Sequence, residues 1–249
     1  MTRRDVSLRS VTGTAFSVLL IVLVGCAGPE TRGEVAPPPV AGERDDAGSS
    51  RPVSSDPMAL GSDSAALTVI EFSDYQCPYC RRFHADVLPA LQREYIDTGK
   101  VQLIYKDFPL AMHSEALPAA IAGRCAAAQG KFWPMNELLF SNQEKLSVTL
   151  YPRLAAALGL DAEHFKKCLQ DPALRKAVRR DQNQARDLGI TSTPSFLIGR
   201  MQGERMLIER VGRGVANFEA LSAELDKLLA GDAPDPETGQ DPRRYELPR

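Results

Sequence analysis

The chain has almost no net charge: 30 Lys and Arg against 32 Asp and Glu leave −2 over 249 residues. No basic face and no interleaving of aromatic with basic residues stands out, which argues against a nucleic-acid partner. Internal repeats are lacking, which argues against solenoid and propeller architectures. The most apolar run, residues 15–24, is too short to span a bilayer comfortably. Cysteine is sparse at five residues, too few to hold a chain of this length as a disulfide-dense scaffold. What is present, 43% hydrophobic and 25% charged residues, suits one globular domain with appendages.

The appendages lie at the ends. Arg3, Arg4 and Arg9 precede the apolar run, and the run ends in small residues, so residues 1–25 read as a signal peptide. Leu23-Val24-Gly25-Cys26 resembles the bacterial lipobox. That resemblance implies lipidation of Cys26, which becomes the first mature residue; the alternative is an ordinary signal or uncleaved anchor with Cys26 a bystander. Acyl chains contribute roughly 0.8 kcal/mol per buried CH₂, so several chains on one Cys hold firmly. Thr2-Arg3-Arg4 hints at twin-arginine export, but Asp5-Val6-Ser7 fits that motif poorly. Residues 26–57 are rich in Pro, Gly, Ser and charge and are expected to be a lipidated, disordered tether, with a coil reach on the order of 30 Å. Residues 231–249 have the same character and are expected to be a disordered tail. The folded domain is then residues 58–230.

Within it, Cys77-Pro78-Tyr79-Cys80 sits where an apolar strand, residues 67–72, hands over to a helix. Pro78 suits a first helical turn, where its missing N–H is not needed. Cys77 then lies at a helix N-terminus, where backbone N–H groups and the macrodipole favour a thiolate. Cys80, one turn inside, is close enough for a reversible disulfide. With Cys26 assigned to lipid and the chain exported, Cys125 and Cys168 remain, and a structural disulfide between them is predicted, stabilising by about 2–4 kcal/mol. The alternative is two unrelated buried thiols. No acidic-thiol context surrounds either residue.

The helix after Pro78 is expected to run to about residue 98, with a kink or local break at Pro89, and to end at Gly99. A second strand covers residues 101–105. Residues 114–190 read as a block of helices, including one that opens at Asp171-Pro172 and stops at Gly189. Strands over residues 195–198 and 206–210 flank a turn at Gly203, and a helix over residues 215–229 closes the domain. The fold class is α/β with a mixed sheet and helices on both faces.

With these elements placed, the chain resembles the DsbA-like thiol–disulfide oxidoreductases of the thioredoxin superfamily. The resemblance rests on the strand–Cys77-Pro78-Tyr79-Cys80–helix unit, on Thr193-Pro194 just before a strand, and on the helical block between the two halves. It implies a thioredoxin-like fold with a helical insertion domain over residues 114–190. It also implies that Cys77 is an exposed nucleophile, Cys80 the resolving thiol and Pro194 a cis-proline leaving the Thr193 backbone free to pair with an extended substrate. Glu71 lies where the family often has a buried acid that moves the Cys80 proton; the alternative is a partly exposed strand-end Glu. The dipeptide Pro78-Tyr79 lacks the His of strongly oxidising members, so Cys77 is expected to be less acidic than theirs.

The implied activity is the formation, reduction or isomerisation of disulfides, with the Cys77–Cys80 disulfide as the redox group and no other cofactor. The implied partners are exported proteins with thiols or disulfides, a redox-recycling partner, and a membrane reached through the lipid. The location is the bacterial cell envelope, on the extracytoplasmic side. Two rival readings remain. Cys77, Cys80 and His84 could supply three ligands of a metal-binding module, although no fourth ligand is evident. A binding or scaffold protein with a vestigial pair is the other. His84, His113 and His164 otherwise read as surface or packing residues.

Overall fold

A computed structural model describes residues 54–214, 217–231 and 244–246. The expected signal peptide, the expected lipidation site Cys26 and most of the expected tether and tail lie outside the described residues.

β1 (Ala59–Leu60) precedes β2 (Leu67–Ser73), all seven residues of which are buried. A strand covered on both faces tolerates such a run. The helical stretch after it has four parts: α1 (Pro78–Arg82), a π turn (Phe83–Val87), α2 (Leu88–Leu91) and a second π turn (Gln92–Ile96). The expected disturbance at Pro89 takes the form of that first wide turn. The Leu88 N–H donates to the Phe83 carbonyl, and the chain passes through Pro89 without a break.

β3 (Val101–Asp107) leads into five helices: α3 (Ala116–Ala127), α4 (Phe132–Ser141), α5 (Tyr151–Ala157), α6 (Ala162–Leu169) and α7 (Pro172–Asp187). A short 3₁₀ turn, Gln143–Lys145, lies between α4 and α5. The hairpin β4 (Ser195–Gln202) and β5 (Arg205–Arg213), the helix α8 (Phe218–Ala230) and β6 (Arg244–Glu246) complete the order.

The sheet runs β1-β3-β2-β4-β5-β6. β2 and β3 are parallel and every other neighbouring pair is antiparallel, so the mixed α/β sheet is present. Leu67 and Val69 pack with Phe83, Leu91, Leu225 and Leu228 on one face. Ile70, Phe72 and Leu197 pack with Ala185 and Ile190 on the other. Between β4 and β5 the register shifts at Ile198/Gly199. A Cβ on Gly199 would sit 2.0 Å from the Leu207 carbonyl oxygen, so only glycine fits.

The helical insertion has its own core, with Phe132, Met135, Leu139, Phe165 and Val178 fully or almost fully buried. α3 is largely alanine on its buried side, which lets its neighbours approach closely but buries little area per residue. A disulfide between Cys125 on α3 and Cys168 on α6 ties the two helices, with Cα atoms 5.7 Å apart and a sequence separation of 43. A buried charge cluster ties the insertion to the sheet. Arg124 Nε donates to Asp107 at 2.6 Å and its terminal nitrogen to Asp181, which also accepts from the Asp107 N–H.

Four expectations need correction. The fold begins before Met58: Asp63 accepts from the Ser54 and Ser55 hydroxyls, the Ser55 N–H and the Gln102 amide, so the last tether residues are anchored. The two-residue β1, too short for a pattern to reveal, pairs with β3. The tail expected to be disordered holds β6, which covers the free edge of β5 and so satisfies backbone groups an edge strand leaves open. Finally, a basic face exists. Arg175, Lys176, Arg179 and Arg180 repeat at helical spacing and are all exposed on α7. A net charge near zero conceals such local segregation. No described helix is long and apolar enough to cross a membrane.

The paired variant Cys125→Ser/Cys168→Ser is expected to lose about 2–4 kcal/mol of stability in denaturant titrations while the active-site dithiol continues to react. An unchanged denaturation midpoint would show that the alanine-rich helix needs no staple.

Candidate active site

The loop leaving β2 is fixed by one carboxylate. Asp74, 1% exposed, accepts from the Gln76 N–H at 2.7 Å, the Leu110 N–H at 2.7 Å and His113 Nδ1 at 2.8 Å. The Cys77 N–H donates to the Asp74 carbonyl, which closes the turn. Next to it, Tyr75 is buried, accepts from Asn136 of α4 and lies against the rings of Tyr105 and Phe140. From the 3₁₀ turn, the Gln143 amide donates to the carbonyls of Tyr75 (2.6 Å) and Cys77 (3.0 Å). The insertion therefore holds the backbone that carries the first cysteine.

Cys77 is the N-cap of α1, with Pro78 in the first turn. Both Cys77 and Cys80 are free thiols. The Thr193-Pro194 bond is cis, and the Cys77 thiol donates to the Thr193 carbonyl at 3.3 Å. The hydroxyl of Thr193 is buried and has no hydrogen-bond partner among the described residues. It is free to donate to the Cys77 sulfur once that sulfur ionises.

The two thiols are driven apart. Cys77 falls from 9.0 to about 6, chiefly because the Cys80 thiol hydrogen-bonds to it. The Thr193 hydroxyl and the N–H groups of Cys80 and Tyr79 help, against the opposing effect of burial. Cys80 moves well above its ordinary value, first because it is buried, then because of its bond to Cys77 and the negative charge of Glu71. One thiolate is exchanged for one neutral thiol within a single helical turn.

Two expectations about these residues change. Cys77 is not an exposed nucleophile: it is only 4% exposed, because the residue 193–194 loop and the insertion close over it. Tyr79 acts on Cys77 through its backbone N–H, and its side chain is 57% exposed. Glu71 is fully buried, which removes the strand-end alternative, and both its carboxylate oxygens lie 3.1 Å from His84 Nε2. Of the surface and packing roles expected of His84, packing is the one observed: its ring stacks on Phe140 and bonds Glu71. Among the described residues no group of three His, Cys, Asp or Glu side chains is placed to hold a metal ion. Cys125 and Cys168 form their bridge within the insertion, and Cys26 lies outside the described residues.

Sequence reasoning missed Asp74, His113, Gln143, Ser73 and the role of His84. The Asp-x-x-Cys spacing could have marked Asp74 as a turn former, and His84 sits one turn beyond Cys80. Nothing local marks Gln143, which arrives from a distant segment. Among the described residues three large apolar side chains stand exposed: Tyr79, Met112 and Val148. Met112 lies in the loop held by Asp74, and Val148 in the segment following Gln143.

The family model described as thioredoxin matches residues 54–213. A probable disulfide bond formation protein D of Bacillus cereus is 30% identical over 75% of this chain and 86% of its own length. A protein of Salinispora tropica named Na(+)/H(+) antiporter NhaA 3 is 32% identical over 73% of this chain, which spans only 26% of that protein's length. Among solved structures, alpha-DsbA1 of Wolbachia pipientis is 27% identical with a TM-score of 0.62, covering 73% of this chain and 94% of the other.

A folded-state pKa of Cys77 below its ordinary 9.0 has a definite consequence for stability. The contribution of Cys77 to the stability of the reduced protein grows as pH rises from about 6 to 9 and is lost as pH falls through about 6, while the raised Cys80 works the other way only above its ordinary 9.0. Compared with Cys77→Ser, its denaturation midpoint is expected to rise across that window, and alkylation of Cys77 to titrate in the same range. Alkylation that titrates near the free-thiol value of about 8.5 would contradict the assigned asymmetry.

Proposed function

This chain belongs to the thioredoxin family, and we propose that it is a DsbA-like thiol–disulfide oxidoreductase that forms, reduces or isomerises disulfides of exported proteins through Cys77 and Cys80. Two free thiols one turn apart at a helix N-terminus, the first bonded to the carbonyl of a cis Thr193-Pro194, carry this reading, and their opposite displacement accords with it. A structural disulfide has no use for such a difference, whereas an exchange catalyst needs one sulfur that leaves easily and one that stays out of solvent.

In the oxidising direction a substrate thiolate attacks the Cys77 sulfur of the Cys77–Cys80 disulfide. That bond breaks, Cys80 leaves with the electron pair and takes up a proton, and Cys77 is joined to the substrate. A second substrate thiolate then attacks the substrate sulfur of this mixed disulfide, and Cys77 departs as the stabilised thiolate. The substrate has lost two electrons and the enzyme has gained them. A recycling partner able to accept two electrons from the dithiol returns the pair to the disulfide. In the reductive and isomerising directions the Cys77 thiolate opens a substrate disulfide.

A depressed Cys77 stabilises the dithiol and so favours giving the disulfide away. Its value near 6 lies between a free thiol and the ~3.5 of the strongest oxidants, in line with Tyr79 replacing a His in the dipeptide. The redox pair serves as the only cofactor of this mechanism. An extended substrate can align with the Thr193 backbone beside Pro194, while the exposed Tyr79 ring offers apolar contact.

The envelope location and the lipid anchor rest on the sequence: the basic start, the apolar run and Leu23-Val24-Gly25-Cys26. In this reading the lipid on Cys26 holds the protein at a membrane, and the tether leaves the domain free on the extracytoplasmic side.

Two experiments test these assignments. The purified protein is expected to catalyse thiol-dependent insulin reduction and oxidative refolding of a reduced substrate, with Cys77→Ser losing both; equal turnover by that variant would end the oxidoreductase reading. Labelled palmitate is expected to enter the full chain expressed in a bacterium and to be lost in Cys26→Ser; label retained in that variant would refute the anchor.

A further inference from the structure

The site leaves one chemical problem open. Cys80 is fully buried, so when the Cys77–Cys80 bond opens, its thiolate appears where water cannot solvate it. A proton has to arrive from within. Glu71 is equally buried, and His84 is the hydrogen-bond and ion-pair partner it has among the described residues.

His84 and Cys80 lie one turn apart on the same helical run. Glu71 lies on the sheet face that Leu67 and Val69 turn toward that run. The His84 side chain is 6% exposed and that of Glu71 is 0% exposed. The imidazole is thus the member of the pair with an edge at the surface. Phe140 stacks on the ring at 4.2 Å, and Phe83 and Tyr105 meet it edge-on, which fixes its orientation.

We propose that His84 is the proton port of the buried Glu71: a positioning residue that orients the carboxylate and exchanges its proton with solvent as Cys80 is released or attacked. The inference rests on the oxidoreductase reading and deepens it. As the disulfide opens, Cys80 leaves with the electron pair, and its sulfur takes up a proton relayed through the Glu71 carboxylate. The Nε2 proton of His84 moves to Glu71, and His84 regains one proton from water at its exposed edge. The sum is one proton from solvent to Cys80, with no electrons beyond those of thiol–disulfide exchange. Closing the disulfide runs the same path backward.

Ser73 supports the path. It is the next residue beyond Glu71 on the same face of β2, and its buried hydroxyl lacks a hydrogen-bond partner among the described residues. It is also one of the groups that favour the ionised form of Cys80, so it can donate to the departing thiolate. The negative charge of Glu71 acts on Cys80, which places the two groups within electrostatic reach. A purely structural role explains the pair less well, because a buried ion pair seldom outperforms a packed apolar pair.

The other titratable groups around the pair are Tyr105 on β3, Tyr75 and Cys77 in the preceding loop and Cys80 on the helix itself. Burial lifts both tyrosines far above their ordinary range, so they stay neutral at the pH values of the test. The facing residues of α4 and β4, Phe140 and Phe196, are not titratable.

His84→Gln keeps an amide able to bond Glu71 but cannot carry a proton. The readout is the rate at which a reduced peptide opens the disulfide of the full-length oxidised protein between pH 5 and 9, followed by the fluorescence of the single tryptophan, Trp133. The expected result is a roughly 100-fold slower release of Cys80, within the range of general acid–base effects, with loss of the wild-type pH dependence. Cys77 alkylation should titrate as before. Glu71→Gln, which retains His84, should lose as much, and the double variant no more than either.

A wild-type rate and pH profile in either single variant would overturn the proposal, as would losses that multiply in the double variant. If the unaltered protein fails to exchange with the peptide at all, the oxidoreductase reading itself falls. Normal exchange with an indifferent His84→Gln removes only the port.

Discussion

The whole site depends on an unequal division of acidity between two sulfurs one helical turn apart. Cys77 caps a helix, donates its thiol to the Thr193 carbonyl and is favoured as a thiolate by Cys80 and by the first N–H groups of α1. Cys80 is enclosed by protein and faces the charge of Glu71. Each sulfur sharpens the other, because the neutral thiol of Cys80 is the donor that holds Cys77 ionised. The surrounding structure keeps this arrangement from relaxing: Asp74 fixes the loop, Gln143 grips its carbonyls, and the cis Thr193-Pro194 bond presents a carbonyl to the sulfur.

The helical insertion is part of this machinery rather than an attachment to it. Asn136, Phe140 and Gln143 belong to it, and all three reach the loop that carries Cys77 or the rings beside Glu71 and His84. Their positions depend on the insertion's own cohesion. The Cys125–Cys168 bridge holds α3 to α6, and Arg124 joins Asp107 of the sheet to Asp181 of α7. Gly123, on the same helix, leaves room for the Tyr75 hydroxyl, which would sit 3.0 Å from any Cβ there. A redox pair on the thioredoxin-like half is thereby shaped by residues far away in sequence.

Much of this was legible beforehand because it is written in short-range chemistry. The strand–cysteine–helix unit, the cap at Asp171 and the stop at Gly189 are local, and the corresponding elements form there. The Cys125–Cys168 pairing followed from counting thiols in a chain expected to be exported. Other features were out of reach. β1 is too short to show a pattern, and β6 exists because β5 has an open edge, which its own residues do not disclose. The basic face of α7 vanished into a near-neutral total. His84 read as an ordinary histidine because its partner lies on a strand that precedes the motif.

The sequence by itself determined which atoms could do chemistry and where the chain would turn. Helix starts, alternation between buried and exposed positions, and the reactivity of a cysteine at a helix start all arise from neighbours within a few residues. Tertiary structure alone decided how acidic each sulfur is, that Cys77 is closed over, and that a buried carboxylate is paired with a histidine. Those properties are sums of desolvation and electrostatic contacts between segments that meet only when the sheet and the insertion close around one another.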